Sequence, residues 1–130
     1  MEFLNIKKQD SIAIVSINRP DAMNALSKDV LKEFCSLQEY FRKDLETRVI
    51  IFTGEGDHFS AGADLKEKAQ LSSKLESWRN NFGKPAIKSI LDIDQITIAA
   101  VNGYCLGGAA CIASASVSYT HLRAHETFAN

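Results

Sequence analysis

The chain has 130 residues, 45% hydrophobic and 24% charged, the balance of a globular domain or part of one rather than of a disordered segment. Fifteen Lys plus Arg against sixteen Asp plus Glu give a formal charge of -1, so no basic field is available for nucleic acid or an anionic membrane surface. No basic start followed by an apolar run occurs, and no apolar stretch reaches the length of a membrane span, which together predict a cytoplasmic protein.

Residues 3–8 and 12–18 carry β-branched side chains and are separated by Gln9-Asp10-Ser11, which predicts a hairpin-like pair of strands ended by Arg19-Pro20-Asp21. Ser27 is placed to cap a helix with Asp29 in its first turn. Leu31, Phe34, Leu37, Phe41 and Leu45 then recur at helical spacing and predict one apolar face against a sheet. Residues 49–53 form a continuous apolar run closed by Gly54-Glu55-Gly56-Asp57, the pattern of a buried strand feeding a turn. A loop follows with Ser60-Ala61-Gly62-Ala63-Asp64. Residues 71–93 are helical in pattern, with Gly83 and Pro85 predicting a break. Residues 96–101 are the next buried strand. Asn102-Gly103 turns the chain, and Gly107-Gly108 leads into a small-residue helix starting near Ala109. The βαβα order predicts an α/β layered fold with a largely parallel sheet. Cys35, Cys105 and Cys111 lie in apolar segments without metal-type spacing and read as buried free thiols in a reducing compartment.

Two strand-to-helix junctions rich in Gly and Ala follow residues 49–53 and 96–101, at the carboxyl ends of strands, where α/β folds bind ligands. The first N–H groups of a helix have no intrahelical partner, and Gly or Ala leaves them open to a ligand atom. Either junction alone is explained by a glycine serving a tight turn. Two together point to a pair of donors for one oxygen. A dinucleotide fingerprint fails, because Gly54-Glu55-Gly56 is followed by Phe59 where the third Gly belongs and Gly103 by Cys105; a phosphate loop fails, because Ala109-Ala110 follows Gly108.

Three segments, in order, carry a resemblance: Ile17-Asn18-Arg19-Pro20-Asp21-Ala22-Met23-Asn24-Ala25-Leu26, Phe59-Ser60-Ala61-Gly62-Ala63-Asp64-Leu65-Lys66-Glu67, and Ala99-Ala100-Val101-Asn102-Gly103-Tyr104-Cys105-Leu106-Gly107-Gly108. With them the chain resembles the crotonase superfamily, known also as the enoyl-CoA hydratase and isomerase family, over residues 1–116. The resemblance implies the ClpP/crotonase-like spiral of ββα units, here cut before the C-terminal helical region, and an acyl-CoA substrate of fatty acid metabolism. No separate cofactor is implied, since coenzyme A enters as part of the substrate, and the full-length protein is expected as a homotrimer or hexamer. By position, the oxyanion donors fall on the N–H groups of Ala63 and Gly108. The segments that hold coenzyme A fall on Met23, Asn24, Ala25 and Leu26 and on Ala61, Gly62, Asp64 and Leu65. Apart from the resemblance, the basic groups near Arg19 or Lys66 are candidates for the phosphates on charge alone. The first catalytic Glu of the family's hydratases corresponds to Cys111, which leaves lyase or isomerase chemistry without that carboxylate. A catalytically inactive fragment is the other reading.

Residues 117–130, Val117 through Asn130, resemble the translation of a sequencing-library adapter and are expected to be a non-native tail. Within it His121 and His125 stand four apart with Glu126 adjacent, but the H-E-x-x-H order is missing, and no metal site is expected. His58 reads as a solvated loop residue that nothing orients, Asp64 as the cap of a short helix, and Lys66, Glu67 and Lys68 as a solvated helical face.

Overall fold

A computed structural model describes residues 1–69 and 81–116 together with the backbone of residues 118–122. Five strands, β1 (Leu4–Gln9), β2 (Ile12–Ile17), β3 (Val49–Gly54), β4 (Ile96–Asn102) and β5 (Ser118–Leu122), form one sheet in the order β1-β2-β3-β4-β5. The first two pair antiparallel across a two-residue turn in which Asp10 takes a left-handed φ of 54°, a conformation its short polar side chain tolerates. Every later pair is parallel, with Val49 opposite both Ile12 and Ile96. Parallel neighbours need crossovers, which run through α1 (Lys28–Cys35) and α2 (Leu37–Arg42), then α3 (Leu65–Ala69) and α4 (Gly83–Leu91), then α5 (Gly108–Ser114).

Strand periodicity decides where the core lies. Ala13, Val15, Ile17, Ile50, Phe52, Ala99 and Val101 share one face and pack in a single cluster with Val30, Phe34, Leu37, Phe41, Ala86, Ile90 and Ile112 from the helices. On the opposite face Ile14, Val49, Ile51 and Ile98 are only half-buried, and Ile12 and Ile96 are 40% and 55% exposed. The continuous apolar runs of β3 and β4 predicted burial on both faces; among the described residues one face is buried.

The first helical segment follows the predicted start and departs from the predicted end. Ser27 Oγ accepts the Val30 N–H at 3.3 Å as the expected cap. The single helix expected through Leu45 is two. Ser36 breaks it, its hydroxyl donating to the Glu33 carbonyl at 2.7 Å and its N–H to the same carbonyl. Beyond α2 the Asp44 carboxylate accepts the N–H groups of Glu46 and Thr47 and the Thr47 hydroxyl, which turns the chain and leaves Leu45 93% exposed. Gly83 and Pro85 fall in the first turn of α4, where the missing proline N–H is harmless. The helical pattern expected over residues 71–80 lies outside the described residues.

Two further expectations change. Residues 118–122, for which no element was predicted, extend the sheet as β5 along the open edge of β4, an edge whose unpaired N–H and C=O groups accept a Ser-Tyr-Thr segment of good strand propensity. His121 therefore lies on a strand, while His125 and Glu126 lie outside the described residues. Of the three thiols predicted to be buried, Cys35 and Cys105 are half-buried and Cys111 is exposed, because α5 turns Ala109, Ile112 and Ala113 to the core and carries position 111 to the other side. Burial pushes the Cys35 and Cys105 thiols up from their ordinary pKa. No described helix is long and apolar enough to cross a membrane.

Candidate functional site

Because β2, β3 and β4 are parallel, their carboxyl ends lie along one edge, and the three motif segments leave the sheet side by side there. Two asparagines tie these exits together. Asn102 Oδ1 accepts the Thr53 hydroxyl and the Gly54 N–H, each at 3.2 Å, and its Nδ2 donates to the carbonyls of Gly54 and Gly56 at 2.9 and 3.0 Å. Asn24, 1% exposed and left-handed at φ 56°, accepts the Arg19 N–H at 2.8 Å. Its Nδ2 donates to the carbonyls of Glu55 and His58 at 2.9 and 2.7 Å. These carboxamides tie the loops together, and all of the bonds except the exposed one to the Gly56 carbonyl are part-buried, where an unpaired polar group costs stability.

The loops after β3 and β4 are then zipped to one another. The Ser60 N–H donates to the Tyr104 carbonyl at 2.9 Å and the Leu106 N–H to the Ser60 carbonyl at 3.2 Å. Gly62, at φ +93°, sits so close to this second loop that a Cβ would stand 2.6 Å from the Leu106 oxygen and 3.8 Å from the Gly107 nitrogen. Only glycine permits both the dihedral and the approach.

Several N–H groups along these loops find no acceptor among the described residues, those of Asp64, Cys105 and Gly107 as well as the expected donors Ala63 and Gly108. In the first loop the Ser60, Ala61 and Gly62 N–H groups go to the Tyr104 carbonyl, the Met23 carbonyl and Ser60 Oγ. The Ala63 N–H finds no acceptor among the described residues. In the second loop Leu106, Ala109 and Ala110 donate to the carbonyls of Ser60, Leu106 and Gly107, while the Gly108 N–H likewise has no acceptor among the described residues. The open N–H groups of Ala63 and Gly108 belong to peptides whose carbonyls are pinned, as do those of Cys105 and Gly107. Gly62 O accepts the Leu26 N–H at 2.7 Å, and Gly107 O accepts the Ala110 N–H at 3.0 Å. A trans peptide points its N–H away from its C=O, so each pinned carbonyl fixes the direction of the open donor behind it. Leu26 reaches both sides, with its Cδ1 3.6 Å from where a Gly108 Cβ would stand. Chemically, each of these open N–H groups is free to donate to an acceptor atom brought by a ligand.

Around the donors the structure reassigns several side chains. Asp64 caps α3 as expected, Oδ1 accepting the Glu67 N–H at 3.2 Å, and its other oxygen takes Arg19 Nη1 at 3.1 Å. Burial acts to raise its pKa, but the Glu67 N–H and the Arg19 guanidinium outweigh it and hold the carboxyl below its ordinary value. Arg19 is turned inward, with Nη1 also donating to the Ala25 carbonyl at 3.0 Å. Glu67 is not a solvated residue: its carboxylate accepts the Lys28 N–H at 2.7 Å, at the start of α1. His58 is oriented after all. Its Nδ1 accepts the Tyr104 N–H at 3.1 Å and its ring stacks on Tyr104 with centroids 4.3 Å apart. Of the residues matched to coenzyme A binding, Met23 and Leu65 are 40% and 76% exposed on the rim, Asn24, Ala25, Leu26 and Gly62 are buried, and Ala61 and Asp64 are half-buried.

A protein-family model described as enoyl-CoA hydratase/isomerase matches residues 7–119. The chain belongs to the enoyl-CoA hydratase/isomerase family. Among its relatives, a short-chain-enoyl-CoA hydratase of Clostridium acetobutylicum is 36% identical over 116 residues, covering 87% of this chain and 44% of the relative. A crotonyl-CoA hydratase of Syntrophomonas wolfei is 37% identical over 108 residues, 82% of this chain and 42% of the relative. Of solved structures, an enoyl-CoA hydratase/carnithine racemase from Magnetospirillum magneticum superposes with a TM-score of 0.87 at 27% identity, over 93% of this chain and 46% of that one. The chain thus spans less than half the length of the relatives it matches. The family match and the superposition bear out the expected crotonase-type fold. In this family member the three recognised segments meet at one sheet edge. Sequence reasoning missed Asn102 and the inward turn of Arg19; an Asn inside an otherwise apolar strand end was the available signal for the first.

Proposed function

We propose that the whole protein binds an acyl-CoA thioester and stabilises the enolate of its carbonyl with the N–H groups of Ala63 and Gly108. What supports this is that Ala63 and Gly108 lie on two loops zipped to one another, each on a carbonyl-pinned peptide whose N–H has no acceptor among the described residues. Removing a proton beside a thioester carbonyl, or adding water across its conjugated double bond, puts negative charge on that oxygen, and one such donor is worth about 2.7–4 kcal/mol in the transition state of other enzymes. Met23, Asn24, Ala25, Leu26, Ala61, Gly62, Asp64 and Leu65 form the coenzyme A side of this site, chiefly through backbone and rim contacts, with no separate cofactor. The relatives are named hydratases and, in one case, a hydroxycinnamoyl-CoA hydratase-lyase. A thiol at Cys111, three residues past Gly108, supplies no carboxylate to activate water, so we assign lyase or isomerase chemistry in place of hydration by two glutamates. We further propose a cytoplasmic homotrimer or hexamer acting in fatty acid metabolism, and a non-native tail from residue 117 onward. Amplifying the source locus across codon 116 tests the tail, which falls if the genome encodes it.

A second reading is supported by the spanned length and by the outer sheet face that leaves Ile12 and Ile96 exposed: the 130-residue chain alone is an inactive, self-associating fragment. Calorimetric titration with acetoacetyl-CoA, acetoacetate, ATP and NAD tests the site, and crotonyl-CoA turnover tests the reaction. Tight binding of the thioester alone supports the proposal. Binding of ATP or NAD without the thioester overturns it.

A further inference from the structure

The donor peptide of Ala63 does not stand alone, because its carbonyl end is the last link of a chain of hydrogen bonds that begins on a cation. Arg19 Nη1 donates to the Ala25 carbonyl at 3.0 Å. That carbonyl belongs to the same peptide as the Leu26 N–H, which donates to the Gly62 carbonyl at 2.7 Å. The Gly62 carbonyl in turn belongs to the same peptide as the Ala63 N–H. Both linking peptides are trans, so charge drawn toward the guanidinium at one end leaves each following N–H more positive. Arg19 is built to hold this place. Its own N–H is taken by Asn24 Oδ1, its carbonyl accepts the Ala22 and Asn24 N–H groups, and its guanidinium lies 5.8 Å from the Phe3 ring centroid. Nη1 carries two hydrogens, one for Ala25 and one for Asp64, so the ion pair orients the cation without displacing it from the relay. The partly buried setting, with side-chain exposures of 24% for Arg19 and 15% for Asp64, keeps solvent screening low.

We propose that Arg19 is a positioning and polarising residue for the Ala63 donor, acting through the Ala25–Leu26 and Gly62–Ala63 peptides to make that N–H a stronger partner for anionic oxygen. Polarisation along hydrogen-bonded chains strengthens each bond by about 10–30%, so the effect falls off from Leu26 to Ala63. The Gly108 donor has no such connection among the described residues; its peptide carbonyl is held by the Ala110 N–H. The inference rests on the proposed role of Ala63 for its functional meaning, but its test does not.

The test reads amide proton shifts of the 15N-labelled 130-residue chain without ligand, in the native sequence, Arg19→Gln and Arg19→Lys. The relay predicts upfield movement in Arg19→Gln at Leu26, and less at Ala63, with Gly108 and Ala61 unmoved. Ala61 lies in the same loop but donates to Met23, off the relay, and so reports simple loosening. Arg19→Lys, which keeps a cation, restores part of both shifts. Equal movement at Ala61 and Ala63, or movement at Leu26 that stops there, overturns the proposal. Should Arg19→Gln not fold, the native chain still decides: absence of a scalar coupling across the Leu26 N–H to Gly62 carbonyl bond breaks the relay. Intact shifts in a protein that binds no thioester would leave the relay standing and remove the proposed function.

Discussion

Replacing Gly62 by Ala tests the claim that the two donor loops are held at contact distance by this one residue. A Cβ there meets the Leu106 oxygen at 2.6 Å, and ordinary contact begins near 3.4 Å, so the loops must part by about 0.8 Å. The residue also sits at φ +93°, which an L side chain rarely adopts. Backbone strain and overpacking together cost about 2–4 kcal/mol. The companion Gly107→Ala has a φ of +55° and a ψ of -122° but nothing within 4 Å of the new Cβ, so it carries backbone strain alone, about 1–3 kcal/mol. Urea unfolding of both variants gives the stability difference, and thioester titration gives the functional one. Parting the loops separates Ala63 from Gly108, and a misplacement near 1 Å can cost on the order of 100-fold in a preorganised site. Gly62→Ala should therefore lose both more stability and far more thioester affinity than Gly107→Ala. Equal losses in the two variants would refute the contact argument.

Asn24→Ala strands the Arg19 N–H and the Glu55 and His58 carbonyls, and chemical unfolding should show a loss of about 3 kcal/mol or more. Asn24→Asp keeps the acceptor but loses both donors, so it should fall well short of rescue. The Asp44 carboxyl is held far below its ordinary pKa, first by the Thr47 hydroxyl and then by Lys8. A depressed folded-state pKa stabilises above the unfolded value, so the deficit of Asp44→Asn should be full at pH 7 and shrink as pH falls below about 4, as read from urea midpoints across pH. Cys111 is exposed while Cys35 and Cys105 are half-buried with raised thiol pKa values, so a thiol reagent in native buffer should label Cys111 first, as peptide mass mapping will show.

The parallel sheet and the Ser27 cap were legible because each rests on a local signal: β-branched runs for β1 to β4, a hydroxyl ahead of an apolar period for α1. The break at Ser36 was not, since Leu37 and Phe41 continue the helical period across it and only the side-chain bond to the Glu33 carbonyl reveals it. The exposure of Cys111 depends on which face of α5 meets the sheet, a matter of packing that a run of Ala and Gly leaves open. At the site, glycine and alanine at two strand ends were visible in the sequence, but what aims their N–H groups was not. The bonds from Leu26 to Gly62 and from Asn24 to Glu55 and His58 join positions more than thirty residues apart, and no local pattern encodes them.

The most direct test of the proposed donor pair is difference infrared spectroscopy of an acyl-CoA carrying a 13C-labelled thioester carbonyl, bound to the protein. Two N–H donors on that oxygen predict a carbonyl stretch well below that of the free thioester, and a smaller drop in the Gly62→Ala variant. A complex that forms with the carbonyl band unmoved would contradict the assignment of Ala63 and Gly108.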